Sequence, residues 1–187
     1  MIDIRPLTQV SDDDLRRIIT GYTSPARYRV LKTESAQLTT FSLELVQLET
    51  PYIKRDDFFP DDEDVQHSLD ASRDGRSLGA YEGDRLIAIA LAAAQTWSNR
   101  LWLHEFHVEE SHRGMGIGTR LMTALIEQGK QGVFRALFCE TQTTNVPAIR
   151  FYRKLGFTLD GINLSMYSNH DYPNGEIALY FKLNLQD

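Results

Sequence analysis

Three glycines within five residues, placed between a predicted strand and a predicted helix, constrain the fold of this chain most strongly. Leu101–Val108 is rich in apolar residues and is predicted to be a strand, and the glycines follow in Arg113–Gly118. Gly114–Lys130 is then predicted to be a helix from the helical spacing of Ile117, Leu121, Met122, Leu125 and Ile126. Glycines allow close approach of the backbone to a ligand, and the first amide N–H groups of a helix lack intrahelical partners. The segment therefore predicts an anion site suited to a diphosphate.

Two common phosphate-binding motifs do not fit this segment. A dinucleotide fingerprint needs glycines at other spacings and an acidic residue on the next strand. A nucleoside-triphosphate loop needs Gly-Lys-Ser or Gly-Lys-Thr, which the segment lacks. A flexible strand–helix turn without a ligand stays open as the alternative interpretation.

The N-terminal half contains weaker signals. Residues 2–5 are predicted to be a strand, and Ser11 is predicted to cap a helix that extends to about Thr20. A second helix is predicted around Ser35–Leu48. The acidic stretch Asp56–Asp64 is predicted to be a solvated loop. A hairpin is predicted from two apolar runs separated by Glu82-Gly-Asp, namely Ser77–Tyr81 and Arg85–Ala94.

The C-terminal half alternates more clearly between strands and helices. Ala136–Thr141 is predicted to be a strand, and Val146–Leu155 is predicted to be a helix capped by Asn145 and ended by Gly156. Two closing strands are predicted over Phe157–Tyr167 and Glu176–Leu185. The order of elements indicates an α/β (α+β) fold, with a mixed sheet in a single domain over residues 1–187.

Composition excludes several classes of function. The 187 residues carry a net charge of -6, which argues against a nucleic-acid partner. The single cysteine, Cys139, allows no internal disulfide and is predicted to be a buried strand residue. The N-terminus lacks the pattern of a signal peptide, and the longest apolar run, Leu86–Ala94, is too short to span a membrane. A cytoplasmic location is expected.

Two blocks of residues together resemble the GNAT acetyltransferases. Val108-x4-Arg113-x-x-Gly116-x-Gly118 is similar to the pyrophosphate-binding motif of that family. Asn145-x-x-Ala148-x-x-Phe151-Tyr152-x-x-x-Gly156-Phe157 is similar to the block that forms the helix flanking the pantetheine arm. The strand order from about residue 77 onward also matches. The resemblance implies a GNAT-like, mostly antiparallel sheet flanked by helices, with acetyl-CoA as co-substrate and no metal.

A narrower likeness concerns the acceptor. The stretch that begins Cys139-Glu-Thr-Gln-Thr-Thr-Asn, with Met166-Tyr-Ser-Asn ahead of the closing strand, resembles the streptothricin acetyltransferases. Those enzymes transfer acetyl to an amine on the β-lysine part of a cationic antibiotic. By this resemblance, residues from about 1 to 75 form an acceptor-side part, and those from about 77 to 187 form the acetyl-CoA-binding core.

The resemblance assigns roles to individual residues. It implies that the pyrophosphate is held by the backbone amides of Arg113, Gly114, Gly116, Gly118 and Thr119. Phe106 and Val108 would pair with the pantetheine amides like an added strand. Tyr152 would protonate the departing thiolate, for which a phenol is a suitable acid, or else would pack as a core aromatic. Asn145 is first a helix cap and second a contact of acetyl-CoA.

The general base is open between two carboxylates. Glu140 lies on the strand before Asn145, where several relatives place a functional glutamate. Glu105 is placed by alternation on the opposite face of its strand from Val108, sharing that face with His107 and Leu103. Either carboxylate could order a water, attract a cationic acceptor, or pair with an arginine. His107 is the third candidate base.

Other polar groups carry weaker predictions. His104 and His107 point to opposite faces by alternation, so a metal site formed with His112 is not expected. The aromatic-rich segment Tyr167–Tyr172 is expected to border the acceptor pocket. The acidic stretch Asp56–Asp64 is the alternative candidate for the same role, although a solvated surface is the favoured interpretation.

The leading hypothesis is direct acetyl transfer from acetyl-CoA to a primary amine of a small molecule, of which streptothricin is one candidate. The alternatives are acetylation of a protein N-terminus, a lysine or a polyamine, and a non-catalytic acyl-CoA-binding module. A nucleotide-phosphate binder is a more distant option. A homodimer is compatible with the sequence, which does not fix the oligomeric state.

Overall fold

The computed structural model of the chain describes residues 1–55 and 74–186. The chain divides into two compact units. The first unit consists of Met1–Gly21, Arg55–Cys139 and Lys182–Asp187, and the second unit consists of Tyr22–Lys54 and Glu140–Phe181. The acidic stretch Asp56–Asp64, predicted to be a solvated loop, lies outside the described residues.

The described residues form nine strands and three α-helices. The strands are β1 (Ile2–Pro6), β2 (Tyr22–Glu34), β3 (Thr39–Lys54), β4 (Leu78–Glu82), β5 (Arg85–Gln95), β6 (Arg100–Val108), β7 (Ala136–Gln142), β8 (Thr158–Asn163) and β9 (Ala178–Asn184). The helices are α1 (Asp12–Ile18), α2 (Ile117–Gln131) and α3 (Val146–Lys154).

Seven strands form one sheet in the order β1-β4-β5-β6-β7-β9-β8, and β2 pairs with β3 in a separate hairpin. The pairs β1–β4, β4–β5 and β5–β6 are antiparallel, whereas β6 and β7 are parallel. The predicted mixed α/β fold with a mostly antiparallel sheet and flanking helices is therefore confirmed.

Most of the predicted elements are present with small shifts at their ends. The Ser11 side chain caps α1 by accepting from the Asp14 amide at 3.2 Å, and Asn145 caps α3 by accepting from the Ala148 amide at 3.1 Å. Cys139 is buried within β7, as predicted. Helix caps of this kind involve residues only three positions apart, so the helix starts can be predicted from the sequence.

The predicted helix around Ser35–Leu48 is wrong, because this region belongs to the hairpin of β2 and β3. The two strands pair antiparallel from Glu34↔Thr39 to Ala26↔Gln47 and resume at Ser24↔Tyr52. The register shifts at Pro25 on β2, and Pro51 is among the β3 residues that lie opposite this shift. Proline has no amide N–H to donate, so both prolines occur where the hydrogen-bond ladder is already interrupted. Cross-strand pairing over so many residues outweighs the weak helical spacing of one strand.

The closing strand predicted over Phe157–Tyr167 is shorter than expected. β8 ends at Asn163, whose side-chain oxygen accepts from the Ser165 amide at 3.1 Å. The Tyr167 amide then donates to the buried Asp171 carboxylate at 2.8 Å. These side-chain acceptors offer the backbone an alternative to a ladder, so a turn replaces the end of the predicted strand.

The core of the first unit lies between the sheet and its helices. α1 packs on β5, and its cluster consists of Leu7, Leu15, Ile18, Ile19, Leu86, Ile89 and Leu91. α2 packs on β1, β4, β5 and β6 through its buried face, which includes Leu121, Met122 and Leu125. This packing fixes the start of α2 at the end of β6.

Candidate active site

The turn between β6 and α2 requires glycine for its backbone conformation. Gly114 and Gly116 have φ angles of 78° and 81°, in the left-handed region. A Cβ at either position would meet no atom within 4 Å, so the space in front of both residues is open. The glycines are thus needed for the path of the chain, and this path leaves room for a ligand at the turn.

The start of α2 offers unpaired amide groups. Gly116 is the N-cap and provides no side-chain cap, and the first helical bond runs from the Arg120 amide to the Gly116 carbonyl. The helix begins at Ile117, so Gly118 and Thr119 lie in its first turn, where N–H groups have no intrahelical acceptor. Together with the helix dipole, these amides can bind an anion.

The Arg113 side chain stabilises the turn by hydrogen bonds to residues outside it. Its Nε donates to the Val108 carbonyl at 2.9 Å, and its Nη2 donates to Thr20 Oγ1 at 3.1 Å. Its own amide donates to the Glu110 carbonyl at 3.2 Å. In this arrangement the guanidinium ties the end of β6 to the segment after α1, and the amide is engaged within the turn.

The end of β6 lies beyond its ladder with β7. Phe106 and Val108 pair with β5, opposite Ala90 and Ala88. The parallel ladder with β7 runs only from Arg100↔Ala136 to Leu103↔Cys139. The edge of β6 after Leu103 therefore projects past that ladder, which is the geometry that an added strand-like ligand requires.

Glu105 and His107 form a side-chain pair on β6. His107 Nε2 and Glu105 Oε2 are 2.7 Å apart, and both side chains are partly buried. Their contact confirms that these two residues share a face. The register shifts between Leu91↔Glu105 and Ala92↔Leu103, so a bulge at His104 interrupts the strict alternation from Leu103 that the sequence predicted.

Glu109 anchors the start of the turn, a role that the sequence pattern did not reveal. Its side chain is 9% exposed, and it accepts from Arg85 at 2.5 Å and from Arg17 at 2.9 Å. His112 Nδ1 lies 3.4 Å from the same carboxylate. The Glu109 amide donates to the Ile87 carbonyl at 2.9 Å. Because the partners come from α1, β5 and the turn, only the tertiary structure brings them together.

In the second unit, Tyr152 lies on α3 in an aromatic cluster. Its ring centroid is 5.5 Å from that of Phe157 and 6.0 Å from that of Phe181, and the residue is 6% exposed. Asn145 lies at the start of the same helix as its cap. Tyr152 therefore packs as a core aromatic, which was one of its two predicted roles, and this packing holds the phenol in a defined position.

Glu140 is paired with Tyr167 in the second unit. The Tyr167 hydroxyl donates to Glu140 Oε1, which ties β7 to the turn after β8. Partial burial raises the pKa of Tyr167, and the Glu140 charge raises it further. The phenol therefore stays protonated and acts as a hydrogen-bond donor to the carboxylate at neutral pH.

Glu176 is the centre of a hydrogen-bond network that the sequence interpretation missed. Its Oε1 accepts from Thr144 at 2.5 Å and from Tyr52 at 3.3 Å, and its Oε2 accepts from Lys54 at 3.0 Å. The Tyr22 hydroxyl lies 2.7 Å from Thr144 Oγ1 and 3.3 Å from Glu176 Oε1. Burial acts to raise the pKa of Glu176, but the bonds from Thr144 and Lys54 outweigh it and lower the pKa. No local motif marked this residue, because its partners come from β2, β3 and the segment before α3.

Within residues 1–55 and 74–186, no group of three or more His, Cys, Asp or Glu side chains is arranged to hold a metal ion. Over the same residues, none of the helices has the length and apolar character needed to cross a membrane.

The Glu109 network yields a prediction about stability. Glu109→Gln should lower the free energy of unfolding by about 2 kcal/mol, because an amide replaces the buried carboxylate that accepts charge-assisted hydrogen bonds from Arg17 and Arg85. Urea denaturation would measure the loss. The matched control is Glu110→Gln, an exposed neighbour that should change stability by less than about 0.5 kcal/mol. Equal effects of the two substitutions would contradict the anchoring role.

Comparisons with known proteins show which family this chain resembles in sequence and in fold. The model of the acetyltransferase (GNAT) family matches residues 42–157. A streptothricin acetyltransferase from Streptomyces lavendulae is 34% identical over 149 residues, which are 76% of each chain. The crystal structure of a nourseothricin acetyltransferase superposes with a TM-score of 0.77 at 27% identity, covering 99% of both chains.

A further solved structure shows the same fold. It is that of a Bacillus anthracis protein in complex with acetyl coenzyme A, with a TM-score of 0.73, 22% identity and coverage of 98% of this chain and 99% of that one. The family match includes the β6–α2 turn and the block from Asn145 to Phe157. The chain belongs to the acetyltransferase (GNAT) family and is an acetyl-CoA-dependent N-acetyltransferase.

Proposed function

We propose that the enzyme acetylates a primary amine of a streptothricin-like, cationic small molecule. The observation that carries this proposal is the 34% identity to a streptothricin acetyltransferase over 76% of each chain. The net charge of -6 favours a cationic acceptor, since opposite charge increases the rate of encounter.

We propose that the β6–α2 turn binds the donor. The first-turn amides of Gly118 and Thr119, with the turn at Gly114 and Gly116, would hold the diphosphate, and the Arg113 guanidinium would add positive charge. Phe106 and Val108 would pair through their backbone with the pantetheine arm, and Asn145 would add a contact. The open space at both positive-φ glycines and the uncapped helix start support this assignment.

Direct transfer requires two proton movements. The acceptor ammonium must lose a proton before it attacks the thioester carbonyl, and the departing thiolate must gain one. Tyr152 is the proposed acid, since its hydroxyl is held at one position by the aromatic packing. Glu140 is the proposed base or cation-binding group, with Glu105 as the other candidate and His107 hydrogen-bonded to it.

The contribution of different parts of the chain is also a proposal. We propose that residues from about 1 to 75 form the acceptor side and that those from about 77 to 187 bind acetyl-CoA. The contacts of Tyr22, Tyr52 and Lys54 with Glu176 support this division, because they bring residues of the N-terminal part to a charged group that a cationic acceptor could reach. A cytoplasmic location and a homodimer stay predictions.

Acceptor identity can be tested by turnover. Release of CoA thiol should be much faster with streptothricin than with spermidine or with lysine-containing and free N-terminal peptides. Reaction with a peptide or polyamine but not with streptothricin would favour the alternative acceptors. Tight binding of CoA without turnover of any amine would instead identify a non-catalytic acyl-CoA-binding module.

Tyr152→Phe is expected to reduce kcat roughly a hundredfold, because general acid catalysis contributes at least that much. The KM for acetyl-CoA should change little, since the phenyl ring keeps the packing against Phe157 and Phe181. Tyr81→Phe, in the first unit, is the matched control. Steady-state kinetics of the wild type and the two variants would measure the effect, and similar melting temperatures would show that all three proteins are folded. A normal kcat for Tyr152→Phe would assign the residue to packing alone.

The two candidate bases differ in the expected pH dependence of kcat/KM. Glu140→Gln should lower the rate by at least tenfold and flatten the acid limb of the profile if Glu140 accepts the proton, whereas Glu105→Gln should retain the limb. The profiles of both variants with one acceptor provide the measurement. A flattened limb only in Glu105→Gln would transfer the role to the pair of Glu105 and His107.

A further inference from the structure

We propose that Glu176, together with the rings of Tyr22 and Tyr52, binds a second, non-reacting ammonium group of the acceptor. This subsite would make the enzyme selective for amines that carry a second cationic group a few carbons from the reacting one. The inference rests on the proposed function, since it specifies the acceptor class for the same reaction. The residues of this Glu176 subsite are Tyr22, Tyr52, Lys54, Thr144 and Glu176.

The carboxylate at the centre is ionised and reachable. The Glu176 side chain is 25% exposed and that of Lys54 is 29% exposed, so the pair is not enclosed in the core. Donation from Thr144 and Lys54 keeps the pKa of Glu176 below its usual range despite burial, which raises it. A half-buried carboxylate that remains charged is a strong site for a primary ammonium, because charge-assisted hydrogen bonds gain strength away from bulk water.

Two phenol rings stand beside the carboxylate. The ring centroids of Tyr22 and Tyr52 are 6.2 Å apart at an angle of 40°. The Tyr52 hydroxyl donates to Glu176 Oε1 at 3.3 Å, and the Tyr22 hydroxyl lies 3.3 Å from the same oxygen and 2.7 Å from Thr144 Oγ1. Burial raises the pKa of Tyr22, and the Glu176 charge raises it further, so the phenol stays neutral. Neutral aromatic faces next to a carboxylate favour an alkylammonium group through cation–π attraction and contact with its methylene groups.

Lys54 already shows that an alkylammonium group fits this subsite. Its Nζ lies 3.0 Å from Glu176 Oε2 and reaches the carboxylate from the end of β3. A cationic acceptor would compete with Lys54 for Glu176.

The first test compares two amines of equal length on the wild-type enzyme. We expect kcat/KM for 1,5-diaminopentane to exceed that for 1-aminopentane at least tenfold, well above the twofold advantage of having two equivalent amines. In the presence of CoA, the diamine should also raise the melting temperature more than the monoamine does, a readout that does not depend on turnover. Equal kcat/KM values, or equal melting shifts, would overturn the subsite.

Two variants link any preference to the subsite. Glu176→Gln should reduce the ratio of kcat/KM between diamine and monoamine about tenfold, mainly through the KM of the diamine. Lys54→Met should act in the opposite direction and lower that KM, because it removes the resident ammonium while leaving the carboxylate. A purely structural ion pair predicts instead that Lys54→Met leaves the ratio unchanged or reduces it.

Glu44→Gln is the matched control, since Glu44 pairs with Arg29 on the exposed surface of the same hairpin. It should leave the ratio and the melting temperature unchanged. An equal loss for both amines in Glu176→Gln would overturn the proposal, as would a similar loss of selectivity in Glu44→Gln. Turnover of both amines without preference counts against the subsite alone, whereas failure of every amine, streptothricin included, counts against the proposed function.

Discussion

The short ladder between β6 and β7 is the constraint on which the proposed donor side of this enzyme depends. Parallel pairing holds the first part of β6 to β7 and ends at Leu103↔Cys139, although β6 continues to Val108. The bulge at His104 lies just past that end, and the glycine turn follows the strand. A backbone edge and a helix start are thus presented next to each other, which suits a long ligand with a diphosphate group.

Three glutamates of this protein differ in the charge of their hydrogen-bond partners. Glu109 is buried between two arginines and holds the turn, so its charge is fully compensated. Glu140 accepts from a neutral phenol, and Glu176 combines neutral donors with one lysine. A carboxylate held mainly by neutral donors, as Glu176 is, retains attraction for a cationic substrate, whereas one paired with two arginines does not. This difference separates the anchoring residue Glu109 from Glu176, which is proposed for the acceptor side.

The acceptor-side proposals rest on a unit assembled from distant parts of the chain. The hairpin of β2 and β3 belongs to the same compact unit as α3 and the turn after β8. Its tyrosines and Lys54 meet Glu176, and its Tyr28 hydroxyl accepts from Arg153 on α3 at 2.8 Å. Similarity to streptothricin and nourseothricin acetyltransferases covers most of the chain, including much of this unit. Under the proposed function, changes in the hairpin would alter acceptor choice while the β6–α2 turn is retained.

The sequence by itself determined the local features of the proposed donor side. The glycines at positive φ, the caps at Ser11 and Asn145, and the apolar spacing of α2 act within a few residues, so their consequences can be predicted. Only the tertiary structure decided the strand conformation of Ser35–Leu48, because that depends on pairing with β2. It also decided the partners of Glu109 and Glu176, since those bonds join residues up to 154 positions apart in the chain and depend on burial that no local pattern encodes.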